Sequence, residues 1–411
     1  MWRRFKRPIQ RHLVTTVDTV GHRPVIAGSS TAKERQPGRH RVGPHQLTSP
    51  TPTCHATGVT DTELSSEDIE LVIDVQALAN YLQAAHPTLL AGGDTEALTA
   101  RQFAGGQSNP TYLLQLGDRR WVLRKQPPGP LLPSAHAVDR EFRILAALGA
   151  TDVPVPRVDL FCQDASIIGT PFAIMEYVAG RIFWDPTLPE VANTSERAEL
   201  YDEMNRVMCA LHRVDPAAVG LADYGKAGNY FARQIGRWSR QYEAAATDPI
   251  PSMNSLMAWL PEHIPADDAS SIVHGDFRLD NMIFHPSEPR VLAVLDWELS
   301  TLGHPLADLA YNCMPYHYAG RGTTLLNTVA GPSTGIPTQE EYVARYCERT
   351  QRKEIRQFNF YLAFSLFRFA SIVQGVYKRG LQGNASSADE AMLYHTRAIA
   401  AADTAWSLAK S

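Results

Sequence analysis

Three oxygen-bearing side chains sit at a spacing that suits phosphoryl transfer. The segment Ile272-Val-His-Gly-Asp-Phe-Arg-Leu-Asp-Asn-Met-Ile-Phe carries Asp276 and Asn281 just before a strand, and Val294-Leu-Asp-Trp-Glu puts Asp296 at the end of the next one. If the two strands form a hairpin turning at Pro286-Ser-Glu-Pro289, pairing brings Asn281 and Asp296 to the same end. Phosphoryl transfer asks little covalent chemistry of a protein. It needs Mg2+ held by oxygen ligands and a carboxylate to orient the attacking hydroxyl. Asp276 fits the catalytic carboxylate, and Asn281 and Asp296 fit the metal ligands. Turn formation by Asp276 and Asp280 and a cap at Asn281 would account for any one of these residues. It does not account for all of them with Asp296 at a strand end.

The spacing H-x-D-x4-N resembles the protein-kinase catalytic loop, with Asp296 where the metal-binding Asp of D-F-G would stand. The signature H-G-D-x4-N followed by D-W-E resembles the aminoglycoside phosphotransferase and choline kinase-like superfamily over about residues 75–400. Within it, Gly105-Gly-Gln-Ser-Asn-Pro-Thr-Tyr, Val122-Leu-Arg-Lys-Gln-Pro-Pro-Gly and Phe367-Arg-Phe-Ala-Ser-Ile-Val-Gln-Gly-Val-Tyr-Lys-Arg-Gly resemble the phosphotransferase domain that in animals precedes an acyl-CoA dehydrogenase domain. The resemblance implies a small-molecule kinase that uses ATP and Mg2+. It also implies structural roles for His274, as an orienter rather than a base or ligand, and for Asp308, as a brace of the catalytic loop. With the sequence closing at Ser411, a stand-alone version without a flavin domain is expected.

On the nucleotide side, Gly105 and Gly106 precede a strand where backbone N–H groups could approach phosphates, with Ser108 and Asn109 as further donors. No G-x-G-x-x-G is present, so which donor meets which phosphate is open. The phosphate cation is expected on the next strand, at Arg124 or Lys125. Strand alternation lets only one enter the cleft. Arg124 shares a face with Val122, whereas the V-x-x-K template would pick Lys125; the resembling family commonly reads V-L-R here, which implies Arg124 and puts Lys125 in solvent. On the helix that follows, Val138, Glu141, Leu145 and Leu148 form one stripe, and a carboxylate on an apolar face needs a partner. Glu141 is therefore the expected mate of the phosphate cation. Glu176, Tyr177 and Val178 would form the adenine-binding hinge.

The pattern of apolar segments reads as a small β-rich N-lobe and a larger helical C-lobe, and the resemblance implies that together they form an α+β, two-lobed, protein-kinase-like fold. Residues 1–60 show no sustained apolar period and are expected to be a disordered basic extension; residues 61–178 make the N-lobe and residues 179–411 the C-lobe. In the N-lobe, strands are expected at 111–116, 121–125 and 171–178. Helices are expected at 195–212, 230–246, 252–260, 340–350, 356–378 and 388–408. The lobes should meet at residues 176–180.

The chain has 411 residues, 39 Lys+Arg against 43 Asp+Glu, and a formal net charge of −4. Residues 1–60 hold 10 Lys+Arg and only Asp18 and Glu34, so a head of +8 precedes a body of −12. The body is not expected to bind nucleic acid. The head reads as an extension from an early start codon, with an organellar targeting segment or an arm that touches nucleic acid as the alternatives. Five scattered cysteines without C-x-x-C signal neither a disulfide framework nor a zinc site, which suits a cytoplasmic setting. The most apolar segment, about residues 358–376, is interrupted by Arg368 and Gln374, so no membrane span is expected.

For the acceptor, Leu366, Phe369, Ala370, Val373 and Tyr377 mark a helical core face. Arg368, Ile372, Gly375 and Arg379 share the opposite stripe. Arg368 and Arg379 would then make a basic strip for an anionic acceptor such as the phosphates of a CoA thioester, and the family resemblance points to a hydroxyacyl-CoA. An aminoglycoside or amino-alcohol acceptor and a non-catalytic, pseudokinase-like nucleotide-binding module are the alternatives. A metal-dependent hydrolase lacks a second His at ligand spacing. Oligomeric state is not legible.

Overall fold

The computed structural model describes residues 73–90, 97–103, 109–127, 138–320, 323–384 and 388–411, with side chains outside 383–391. Residues 1–60 and the expected phosphate-loop residues Gly105, Gly106 and Ser108 lie outside the described residues.

The N-lobe opens with α1 (Val75–Ala85), capped by Asp74, whose side chain accepts from the Ala77 N–H at 2.9 Å. A single turn, α2 (Pro87–Leu90), leads to β1 (Thr99–Gln102), β2 (Thr111–Leu116) and β3 (Arg119–Lys125). Next come α3 (Val138–Leu148), β4 (Val158–Cys162), the short α4 (Ala165–Ile168) and β5 (Phe172–Glu176). The strands form one antiparallel sheet in the order β1-β2-β3-β5-β4. Period-two alternation gives this sheet two covered faces. Tyr112, Leu114, Trp121, Leu123, Phe172 and Ile174 pack with Leu78 and Leu82 of α1 on one side. On the other, Val122, Val158 and Met175 join Ile144, Leu145 and Leu148 of α3 in the larger core.

This second covered face corrects the placement of Lys125. Arg124 and Lys125 do point to opposite sides of β3, but the far side is not solvent. Lys125 is 2% exposed, and its Nζ donates to the Ile168 carbonyl of α4 at 3.1 Å. Burial pushes its amine down from its ordinary range.

The C-lobe begins with α5 (Thr194–Arg213), α6 (Tyr230–Ala245) and α7 (Pro251–Glu262). Four short strands follow: β6 (Ser271–Val273), β7 (Met282–Phe284), β8 (Val291–Val294) and β9 (Thr301–Gly303). β7 and β8 form the expected hairpin, and β6 pairs antiparallel with β9. The chain then runs through α8 (Pro305–Cys313), α9 (Gln339–Thr350), α10 (Phe358–Arg379) and α11 (Ala388–Lys410). By length and composition, α10 is apolar enough to cross a membrane. Its most apolar window is 89% buried inside the protein, however, which makes it the central core helix of this lobe.

The lobes join at Gly180-Arg181. The backbones of Arg181 and Phe284 exchange two hydrogen bonds of 2.8 Å, which fastens the connector to the β7–β8 hairpin. Gly180 must be glycine there, because a Cβ would fall 2.2 Å from the Phe284 oxygen. Arg181 adds bonds to the His285 carbonyl at 2.9 Å and to Glu196 at 2.7 Å.

Candidate active site

The loop between β6 and β7 is held by buried groups from three helices. Asp308, on the first turn of α8, accepts from the backbone N–H of His274 at 2.6 Å through Oδ2 and from that of Gly275 at 2.8 Å through Oδ1. Burial alone would raise its carboxyl, but His212 and the His274 N–H hold it below the usual carboxylate range. His212 of α5 lies 3.4 Å from Asp308 Oδ2, and its other ring nitrogen lies 2.8 Å from the Tyr346 hydroxyl of α9. Gly275 has φ +81, and a Cβ there would meet the Leu299 oxygen at 2.8 Å. Both ring nitrogens of His274 are engaged: Nδ1 accepts from the Asp276 N–H at 3.1 Å, and Nε2 faces the Leu295 carbonyl at 2.9 Å. A neutral ring donating from Nε2 satisfies both contacts and leaves no nitrogen for proton transfer or metal binding.

Asp276 is 2% exposed. The Asn281 side-chain amide donates to its carbonyl oxygen at 2.8 Å and to its Oδ2 at 3.0 Å, while Arg278 Nε stands 3.3 Å from Oδ1. Arg278 also reaches Asp280 at 3.0 Å. Desolvation works against the Arg278 charge, but Asp276 and Asp280 together hold its guanidinium above the ordinary range. The Tyr311 hydroxyl of α8 is pushed up first by burial and then by the Asp276 charge beside it. Asn281 and Asp296 meet as the hairpin requires, with the Leu295 N–H donating to the Asn281 carbonyl at 2.8 Å. Asp296 adopts a left-handed backbone (φ 68, ψ 60), which turns the chain out of the hairpin.

Across from this loop, Arg124 of β3 pairs with Glu141 of α3 and stands 3.9 Å from Asp296. Glu141 is 3% exposed and its Oε2 has no hydrogen-bond partner. Burial pushes its carboxyl up to about 7; Arg124 pulls the other way, while Asp296 and Glu298 add to the rise. Arg124 and Glu141 thus join the sheet, α3 and the expected metal ligand Asp296 in one charged chain.

The fit to Mg2+ and ATP can be tested on these atoms. With its amide nitrogen committed to Asp276, Asn281 offers its side-chain oxygen, and Asp296 offers carboxylate oxygens, the hard donors that Mg2+ prefers. Arg124 Nε, a donor, is buried without a hydrogen-bond partner, as suits a group that completes its bonding on a phosphate. Asn109 is buried too, but its unpartnered atom is the acceptor Oδ1, which offers nothing to a phosphate oxygen. At the hinge, the sheet ladder ends with Trp121 opposite Glu176. The Glu176 carboxylate accepts from the Arg157 N–H at 3.0 Å, and the Tyr177 ring lies 4.6 Å from the Arg120 guanidinium. The Glu176 side chain and the Tyr177 ring therefore face the β4 side and Arg120. Adenine pairing at 176–178 would fall to the backbone.

The acceptor strip needs correction. Arg379 is exposed, but Arg368 is 5% exposed: it donates to the Gly275 carbonyl at 2.6 Å and lies between the Trp238 and Tyr311 rings, 5.5 and 5.4 Å away. α10 is enclosed on the Arg368 side as well as on its apolar face. Arg368 thus braces the catalytic loop and does not belong to a solvated strip. Arg278, Tyr311 and His212 also shape the site. Of these, only Arg278 carried a sequence signal, since it lies within the H-G-D-x4-N segment.

The model of the phosphotransferase enzyme family matches residues 99–349. Mouse acyl-CoA dehydrogenase family member 10 is 51% identical over 320 residues, which cover 77% of this chain and 30% of that protein. The chain spans less than half the length of the curated relatives it matches. Among solved structures, a Ralstonia eutropha protein provisionally named an aminoglycoside phosphotransferase superposes with a TM-score of 0.72 at 48% identity, over 82% of this chain and 98% of that one. Choline kinase from Cryptosporidium parvum shares the fold at 12% identity and a TM-score of 0.57, over 80% of this chain and 95% of that one. With its loop, hairpin and bilobal architecture, the chain belongs to the phosphotransferase enzyme family and has that family's kinase-like fold.

Proposed function

We propose that this protein transfers the γ-phosphoryl group of ATP, with Mg2+, to a hydroxyl of a small molecule, and that the acceptor is a hydroxyacyl-CoA. The observation that supports the reaction is the Asp276 carboxylate fixed by Asn281 beside Asp296, with Arg124–Glu141 opposite. Asn281 and Asp296 would hold Mg2+, which supplies charge neutralisation at the phosphates. Asp276 orients the acceptor hydroxyl and takes its proton as that oxygen bonds to phosphorus and the bond to the ADP oxygen breaks. Arg124, kept in place by Glu141, binds the phosphates. Arg278 and Asn281 keep the Asp276 carboxylate from turning away.

Likeness to a relative named for acyl-CoA chemistry supports the thioester acceptor. The R. eutropha structure keeps an aminoglycoside acceptor as the alternative. The test is ADP release against hydroxyacyl-CoAs, aminoglycosides, choline and sugars, with Asp276→Asn as control. Release with a hydroxyacyl-CoA that disappears in Asp276→Asn is the expected result. Turnover near wild type in that variant would refute the mechanism, and release with aminoglycosides alone would reassign the acceptor.

A further inference from the structure

Helix α3 belongs to the N-lobe and carries Glu141, yet two of its arginines are bonded to the C-lobe. Arg140 Nη2 donates to the Tyr224 carbonyl at 2.9 Å and to the Ser300 carbonyl at 3.3 Å, and its guanidinium stands 4.2 Å from the centre of the Tyr224 ring. The Tyr224 hydroxyl returns the contact: it donates to the Arg140 carbonyl at 3.2 Å and lies 2.8 Å from Ser300 Oγ. One turn on, Arg143 donates to the Gly220 carbonyl at 2.8 Å and pairs with Asp223. Tyr224 is 1% and Ser300 4% exposed, so this clasp closes on the protein interior. The Tyr224 loop is itself held, since a Cβ on Gly225 would fall 2.7 Å from the Leu302 nitrogen. The lobes are also joined at Gly180-Arg181 and by the Val294 N–H, which donates to the Pro154 carbonyl at 2.9 Å, but neither junction involves α3.

Both ends of the clasp lie close in sequence to the groups around Arg124. Arg140 directly precedes Glu141, the partner of Arg124. Ser300 closes the 3-10 turn Trp297–Leu299 that Asp296 opens, and its N–H donates to the Trp297 carbonyl at 3.0 Å. Asp296 stands 3.9 Å from Arg124. Glu141, Asp296 and Glu298 are like charges gathered about one guanidinium, and they repel each other. Such a set tends to spread. By bonding the Ser300 carbonyl from α3, Arg140 ties the backbone that carries Glu141 to the turn that carries Asp296.

We infer that the Arg140–Tyr224–Ser300 clasp makes Arg140 a positioning residue for the nucleotide: it holds α3 against the C-lobe so that Arg124 and Asp296 stand at binding distance before nucleotide enters. The inference deepens the phosphotransfer reading and rests on it for the identity of the ligand.

The experiment is calorimetric binding of AMP-PNP with saturating Mg2+, which needs neither an acceptor nor turnover, alongside thermal melts. Arg140→Met keeps the stem and removes the donors. It should weaken AMP-PNP binding about fivefold or more. Arg140→Lys, which keeps a donor for one carbonyl, should recover part of that affinity, and Tyr224→Phe, which loses only the hydroxyl bonds, should show a smaller loss. The decisive readout is the combination with Arg124: if Arg140 acts through it, adding Arg140→Met to Arg124→Met should lose no further affinity. Wild-type affinity in Arg140→Met, or an equal loss with and without Arg124, overturns the inference whatever the melting temperature does. Failure of wild-type protein to bind AMP-PNP at all is a different result, which removes the phosphotransfer reading and the inference with it.

Discussion

Asn281 donates its side-chain amide to both the carbonyl oxygen and the Oδ2 of Asp276, at 2.8 and 3.0 Å. One residue therefore fixes the carboxylate of the proposed base and, with its amide nitrogen committed there, keeps its side-chain oxygen for the metal. Asn281→Ala removes both functions. We expect kcat to fall on the order of a hundredfold or more, since general-base contributions run to about 10²–10⁴. The Mg2+ concentration needed for half-maximal rate should rise as well. A loss of kcat with unchanged Mg2+ dependence would remove Asn281 from the metal shell and leave it only as a clamp.

Arg124 and Lys125 separate two roles that adjacent cations could share. Arg124 faces Glu141 and Asp296, whereas Lys125 is buried behind the sheet against α4. A charge-assisted hydrogen bond contributes about 1.5–3 kcal/mol. Arg124→Met should therefore raise the ATP KM roughly ten- to hundredfold. Lys125→Met, which retains the stem and removes the ammonium, should leave it unchanged. The reverse pattern in steady-state kinetics would mean that the lysine reaches the phosphates.

The contrast shows where the sequence was legible and where it was not. Alternation put Arg124 and Lys125 on opposite faces, and the helical stripe placed Glu141 inward beside Leu145, as the structure has them. Alternation cannot tell whether the second face of a sheet is covered. Here α1 and α4 cover it, so Lys125 lost its expected solvent. Arg368 was misplaced for a related reason. A stripe analysis ranks faces by apolarity, yet this guanidinium is buried by stacking between Trp238 and Tyr311 and bonding one backbone carbonyl. The β7–β8 hairpin was plain because its turn and its apolar runs adjoin. The three-residue strands β6 and β9 were not, because their pairing crosses a loop and two other strands. His212, Asp308 and Tyr346 come from separate helices, and no local spacing could announce their contact.

The Glu141 carboxyl, pushed up to about 7 by burial, makes stability depend on pH in a definite direction. Its folded value lies above its ordinary value of 4.5, so the folded state retains a proton that the unfolded chain releases. The stability this provides is full below about 4.5 and is lost as pH rises toward 7. Glu141→Gln, neutral throughout, should flatten that decline. Urea midpoints measured without nucleotide at several pH values between 4.5 and 7.5 test this, and an unchanged slope in the variant would show that Glu141 titrates normally.

Gly275 is the position where loop geometry and catalysis are hardest to separate. Its N–H is held by Asp308 at 2.8 Å and its carbonyl by Arg368 at 2.6 Å, so α8 and α10 grip the two peptide units that flank this one residue. Its φ of +81 is unfavourable for any side chain, and a Cβ would stand 2.8 Å from the Leu299 oxygen and 3.0 Å from the Leu299 Cβ. Backbone strain of this kind costs about 1–3 kcal/mol. The neighbours of Gly275 are His274 and Asp276, so relief of the clash displaces the proposed base. Gly275→Ala should lower the melting temperature and reduce kcat more than it raises the ATP KM, because Arg124 and Glu141 lie on the other lobe. Thermal melts paired with steady-state kinetics decide this. A variant with wild-type kcat and melting temperature would show that the loop can shift without cost, and that the grip of Asp308 and Arg368 does not set the position of Asp276.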